Sequence, residues 1–200
     1  MNRHLLELIF YGALFLAPTL VFAHPHPQPH VHGGFAAGLI HPILGLDHLL
    51  AFLGVGLWAS QQSDRRAVWL IPMAFLGIMI AGFALGVGST PLPLVEFGIV
   101  GSLALVGVLI LGNRQLPVFV GASLAGLFAV FHGHAHGAEM DAGLSSVSFG
   151  SGFVAASGLL LLAGAAAWRL AEQRMLQQPI SRSAGITLVA SSAVFLVLLF

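Results

Sequence analysis

Two stretches of this sequence carry histidine and carboxylate at close spacing within apolar surroundings. They are His41-Pro42-Ile43-Leu44-Gly45-Leu46-Asp47-His48 and His132-Gly133-His134-Ala135-His136-Gly137-Ala138-Glu139. Imidazole and carboxylate together form a donor set that suits divalent transition metals. Desolvating such groups is costly, so ionisable side chains inside membrane segments mark ion paths, proton relays or ligand sites.

The spacing sharpens this expectation. His132 and His136 are four residues apart, so a helix presents both from one face, and Glu139 joins them if that helix continues past Gly137. His41 and His48 also share a face, but a regular helix separates them by about 10 Å, too far for one ion. Either Pro42 and Gly45 break the helix and fold His41 back toward Asp47 and His48, or the ligands form two successive stations. Discontinuous helices of that kind line transporter sites. His134 falls on the opposite face and reads as a loop or packing residue. Glu96 and Asp141 lie at loop ends, where a solvated carboxylate is the default. Buried histidines can merely hydrogen-bond between helices, but four of them with two acids at one depth exceed what packing needs. The candidate ligands are therefore His41, Asp47, His48, His132, His136 and Glu139.

The elements that position these residues follow from composition. Of 200 residues, 58% are hydrophobic and 7% charged, with a mean hydropathy of +0.96 and no formal net charge. Soluble domains carry roughly 25% charged residues, so lipid must replace water around most of this chain. Lysine is absent and the seven arginines are scattered, which excludes the basic stripe of a nucleic-acid binder. The absence of cysteine excludes disulfides, thiolate metal sites and a thiol nucleophile, and it suits an oxidising periplasm.

Residues 1–23 read as a secretory signal: Arg3, an apolar run from Leu5 to Phe22, then the Val21-Phe22-Ala23 junction. The alternative is an uncleaved first helix. Residues 24–34 form a His- and Pro-rich stub with His24, His26, His30 and His32, extended rather than helical, and either a weak metal-binding segment or a plain flexible tether. Residues 35–200 hold six apolar segments, Phe35–Ser60, Ala67–Val87, Phe97–Leu111, Leu116–His136, Phe149–Trp168 and Ser183–Phe200. Most reach the roughly 20 residues needed to span a bilayer, although the third is short and could begin near Leu92. The expected fold is all-α, a polytopic bundle of six transmembrane helices after a cleaved signal.

Arg65, Arg66, Arg114, Arg169, Arg174 and Arg182 all fall in alternate loops, on one side of such a bundle. The positive-inside rule makes that side cytoplasmic and the mature N-terminus and Phe200 periplasmic, which places the protein in a bacterial cytoplasmic membrane. Both histidine clusters then lie in the outer half of the bilayer. Trp58, Trp69 and Trp168 are expected as interfacial anchors near the cytoplasmic ends. Gly82-x-x-x-Gly86, Gly98, Gly101, Ser102, Gly107, Gly158 and Gly164 read as close helix packing.

The motifs His41-Pro42-x-x-Gly45-x-Asp47-His48 and Phe131-His132-Gly133-x-Ala135-His136-Gly137-x-Glu139 resemble those of the HupE/UreJ family of nickel permeases associated with hydrogenase and urease maturation. The resemblance implies a six-helix permease that passes Ni²⁺ inward, with Co²⁺ as the cargo of some members, and it nominates the same six residues. Without it, imidazole and carboxylate leave Ni²⁺, Co²⁺, Zn²⁺ and Cu²⁺ open.

Enzymatic activity is not expected. His132, His136 and Glu139 superficially fit a catalytic zinc site but lack the His-Glu-x-x-His order, and a phosphate-binding Gly-x-x-x-x-Gly-Lys loop is impossible without lysine. A membrane metal receptor is the other alternative, with little loop surface for a signalling partner. The expected partners are a divalent ion and lipid, with a homo-oligomer left open and no catalytic cofactor.

Overall fold

The computed structural model describes residues 34–141 and 143–200. Among the described residues there are seven helices and no strand: α1 (Gly34–Leu44), α2 (Leu46–Gln61), α3 (Ala67–Val87), α4 (Val95–Leu111), α5 (Val118–Glu139), α6 (Ser146–Gln173) and α7 (Gln177–Leu198). The signal and most of the His-rich stub lie outside these residues. Helices α3, α5, α6 and α7 are each long and apolar enough to cross a membrane, and α1 with α2 makes one further bent span; α4, with 17 residues, is shorter.

The apolar segment expected over Phe35–Ser60, with a break at Pro42 and Gly45 as one of its two alternatives, is two helices. It starts at Gly34, keeps Pro42 inside α1, and breaks at Gly45, where the axis turns by 79°. Pro42 has no N–H for the ladder, and Gly45 (φ −77°, ψ 106°) leaves helical geometry while its carbonyl accepts the first bond of α2, from Leu49 N–H at 2.8 Å. The long loop expected over Arg169–Arg182 is also corrected. Helix α6 runs on to Gln173 and α7 begins at Gln177, with Met175 (φ 56°) turning the chain between them.

Helix α6 supports the broken pair. Its 28 residues extend about 42 Å, and α1 packs on its first half and α2 on its second. A Cβ at Gly38 would meet the Phe149 carbonyl, at Gly152 that of Phe35, at Gly56 that of Leu161 and at Gly164 that of Leu53. In lipid, where no hydrophobic force joins helices, such backbone approach is what holds them together. Helix α2 is central and touches every other helix, and from Gly54 to Gln61 it is buried all round. Trp58 belongs to this core, 1% exposed, so it does not serve as the expected interfacial anchor; Trp168 is buried too, and Trp69 alone of the three faces outward. The outer faces of the bundle carry exposed apolar side chains such as Met73, Ile78, Phe119, Leu127, Leu159 and Val197, a surface suited to lipid.

The two ends of the bundle differ. At one end Gln62 Nε2 donates to the Arg114 carbonyl, Gln115 Nε2 to the Gln61 carbonyl and Gln61 Nε2 to Ser181 Oγ, so the α2–α3 and α4–α5 connections are fastened to each other and to the start of α7. In the same region Arg66 holds the Asp64 carboxyl below its ordinary range through hydrogen bonds from its backbone and guanidinium. At the other end lie the start of α4, the end of α7, where the Phe97 and Phe200 rings meet, and the end of α5 with Glu139. The expected gathering of the six arginines at one end therefore holds.

Candidate metal site

Helix α5 delivers the second motif. It continues past Gly137 to Glu139, the condition on which Glu139 joins the face of His132 and His136. The interleaved glycines explain how. Gly133 and Gly137 sit about a third of a turn round from the histidines, and Cβ atoms there would strike the carbonyls of Met79 and Phe83. Reciprocally, Gly82 and Gly86 lie against the carbonyls of Val130 and His134. The expected packing role of Gly82-x-x-x-Gly86 is thus explained by α5, whose histidine face this contact orients.

The break at Gly45 folds the first motif onto that face. The His41 and His136 ring centroids lie 4.5 Å apart, those of His48 and His136 4.1 Å, and those of His48 and His132 4.9 Å. His41 and His48, about 10 Å apart on a straight helix, thus both meet the His136 ring. The four imidazoles form a row, from half-buried His41 through His136 and His48 to His132, which is 0% exposed.

Two parts of the row differ in chemistry. At the outer end, donor atoms of His41, His136 and Glu139 all lie within 4.8 Å of one another, with Glu139 exposed and His136 buried. One turn deeper on α5, about 6 Å inward, His132 faces His48. Beyond it stand the rings of Phe52 and Phe75, at 5.3 Å and 6.0 Å from His132. Asp47 does not join the outer group. Its Oδ1 accepts from His48 Nδ1 at 2.8 Å, the carboxylate–imidazole arrangement that fixes a ligating ring and raises its basicity. With Nδ1–H committed to Asp47, His48 Nε2 carries the lone pair.

That nitrogen is not alone. His48 Nε2, His132 Nδ1 and both ring nitrogens of His136 are buried and find no hydrogen-bond partner among the described residues. Buried polar atoms are normally paired, so several unpaired imidazole nitrogens in one row are what a site for a Lewis acid looks like. All six predicted residues are accounted for: five imidazole or carboxylate groups line the row, and Asp47 stands behind His48.

Residues outside the prediction also take part. Ser102 of α4, read from sequence as a packing residue, places its Oγ 3.0 Å from His132 Nε2. The available signal was that Ser102 is the sole hydroxyl residue of Phe97–Leu111. Gly45 lies close against this pair: a Cβ there would come within 3.2 Å of both Asp47 Oδ1 and His48 Nδ1, so the Asp47 and His48 side chains would have to give by a few tenths of an ångström to accept one. His134 packs as expected, its Nε2 donating to the Thr90 carbonyl at 2.7 Å and tying the α3–α4 connection to α5. Glu96 lies exposed in the first turn of α4.

No solved structure matches this chain. A curated relative, Protein HupE of Rhizobium leguminosarum bv. viciae, is 40% identical over 142 residues, covering 71% of this chain and 73% of that protein. The family model described as HupE / UreJ protein matches residues 12–195, nearly the whole chain and both histidine motifs. The chain is a member of the HupE/UreJ family.

Proposed function

We propose that this protein is a permease that passes a divalent transition-metal ion, Ni²⁺ in the first place, inward across the bacterial cytoplasmic membrane. The observation that carries the reading is the row of four buried or half-buried imidazoles, three of which hold nitrogens unpaired among the described residues, open at Glu139 and closed at its deeper end by Phe52 and Phe75. The ion binds first to His41, His136 and Glu139, then moves to His48 and His132 by ligand exchange. Release inward requires Phe52 and Phe75 to part. Binding at each station has to be weak enough to permit exit. A membrane potential negative inside favours entry of a dication by about 4.6 kcal/mol per 100 mV, at about 2.3 per charge, so no ATP-hydrolysing domain is needed.

In this reading α1 with α2 forms one span, α4 is the short third of six, and the signal 1–23 is removed. The arginine-bearing end faces the cytoplasm, so that both mature termini and Glu139 face the periplasm. The metal is cargo, the protein is not an enzyme, and Co²⁺ or Zn²⁺ are the competing cargoes. Membership of the HupE/UreJ family and the nickel-permease character that the motif resemblance implies favour Ni²⁺.

The test is uptake of radiolabelled Ni²⁺ by cells producing the protein, with Co²⁺ and Zn²⁺ as competitors. Saturable uptake that His48→Ala reduces to background is expected, with Ni²⁺ the strongest self-competitor. Absence of uptake by protein inserted in the membrane would turn the reading toward a receptor, and hydrolytic activity that survives loss of uptake would revive the metalloenzyme.

A further inference from the structure

Helix α4 carries none of the six predicted ligands, yet it reaches the innermost imidazole. Ser102 is 2% exposed and its Oγ makes two contacts: 2.6 Å to the Ile99 carbonyl and 3.0 Å to His132 Nε2. A hydroxyl has one proton to give, and a carbonyl can only accept. The Oγ–H is therefore committed to Ile99, and the contact with His132 can be made only if Nε2–H donates to the Ser102 lone pair. The hydrogen bonds thus assign the Nε2–H tautomer to His132. Its Nδ1, buried and without a partner among the described residues, is left as the sp² lone pair.

We propose that Ser102 is a positioning residue that locks His132 in the Nε2–H tautomer, so that Nδ1 is the atom His132 offers to the metal beside His48 Nε2. The inference rests on the transport reading for its metal, but the Ser102–His132 bond stands on geometry alone. It also gives the two inner imidazoles one logic. Asp47 fixes His48 through Nδ1 and frees Nε2, while Ser102 fixes His132 through Nε2 and frees Nδ1. Orienting partners of this kind are worth about 10- to 100-fold in metal affinity.

The test uses the full-length protein in detergent, with ¹⁵N-labelled histidine and no metal for tautomer shifts, and radiolabelled Ni²⁺ for equilibrium binding. Signals of His132 are assigned by their loss in His132→Gln. In wild type the His132 pair should show a protonated Nε2 and an unprotonated Nδ1. Ser102→Ala should mix the tautomers and weaken Ni²⁺ binding by about 10- to 100-fold, and Ser102→Thr, which keeps the hydroxyl, should restore both. An unchanged tautomer in Ser102→Ala overturns the proposal, as does a changed tautomer with unchanged affinity. If wild type binds no Ni²⁺, the transport reading and the metal-donating role of Nδ1 fall together, while the metal-free tautomer still decides the Ser102–His132 bond.

Discussion

At the scale of residues, the site separates groups that can touch an ion from groups that aim them. His136, with both ring nitrogens unpaired among the described residues, sits between His41 and His48 and is the pivot of the row. Asp47 belongs to the aiming groups through its 2.8 Å bond to His48 Nδ1. Asp47→Asn, which keeps an acceptor but loses the charge, is predicted to weaken Ni²⁺ binding by about 10- to 100-fold without abolishing it, whereas His136→Ala abolishes it; equilibrium binding to purified protein distinguishes the two, and equal losses would make Asp47 a ligand. The six candidates stood out in the sequence because imidazole and carboxylate are costly in apolar segments. Their division of labour did not. Whether Asp47 meets a metal or its neighbouring imidazole depends on side-chain direction at a bend, and Ser102 reaches His132 across 30 positions of sequence.

At the scale of elements, small residues do the positioning. The α3–α5 contact through Gly82, Gly86, Gly133 and Gly137 brings backbones so close that a side chain would meet carbonyl groups that cannot move aside. Gly133→Leu is predicted to destabilise the bundle by about 3 kcal/mol or more, the upper end of overpacking costs, seen as a lower melting temperature in detergent. Gly77 lies on the same helix α3, where a Cβ would meet nothing within 4 Å, and Gly77→Ala should be neutral or stabilise by about 0.5–1 kcal/mol. Equal effects at the two positions would show that backbone approach is not what joins α3 to α5. Helix existence was readable from apolar length, and the packing role of Gly82 and Gly86 from their spacing. The break was readable only as an alternative, since Pro42 and Gly45 permit a bend, whereas α6, through Gly152 and Gly164, supplies the surface that selects it.

At the scale of the whole molecule, polarity is arranged along the bundle axis. The arginine-bearing connections are fastened at one end by Gln61, Gln62 and Gln115, and the imidazole row opens at the other through exposed Glu139. This asymmetry followed from alternation of loops along the chain, so linear order alone placed both motifs at one depth. In the proposed orientation it is also what a potential-driven path for a cation requires, with ligands at the side from which the ion would arrive. The central claim is that the imidazole row is that path. Its most direct test is radiolabelled Ni²⁺ entry into proteoliposomes under an imposed potential, negative inside, with wild type and His136→Ala reconstituted at equal density. Entry that rises with potential in wild type and falls to the protein-free background in His136→Ala is the predicted result; potential-driven entry that persists in His136→Ala would contradict it.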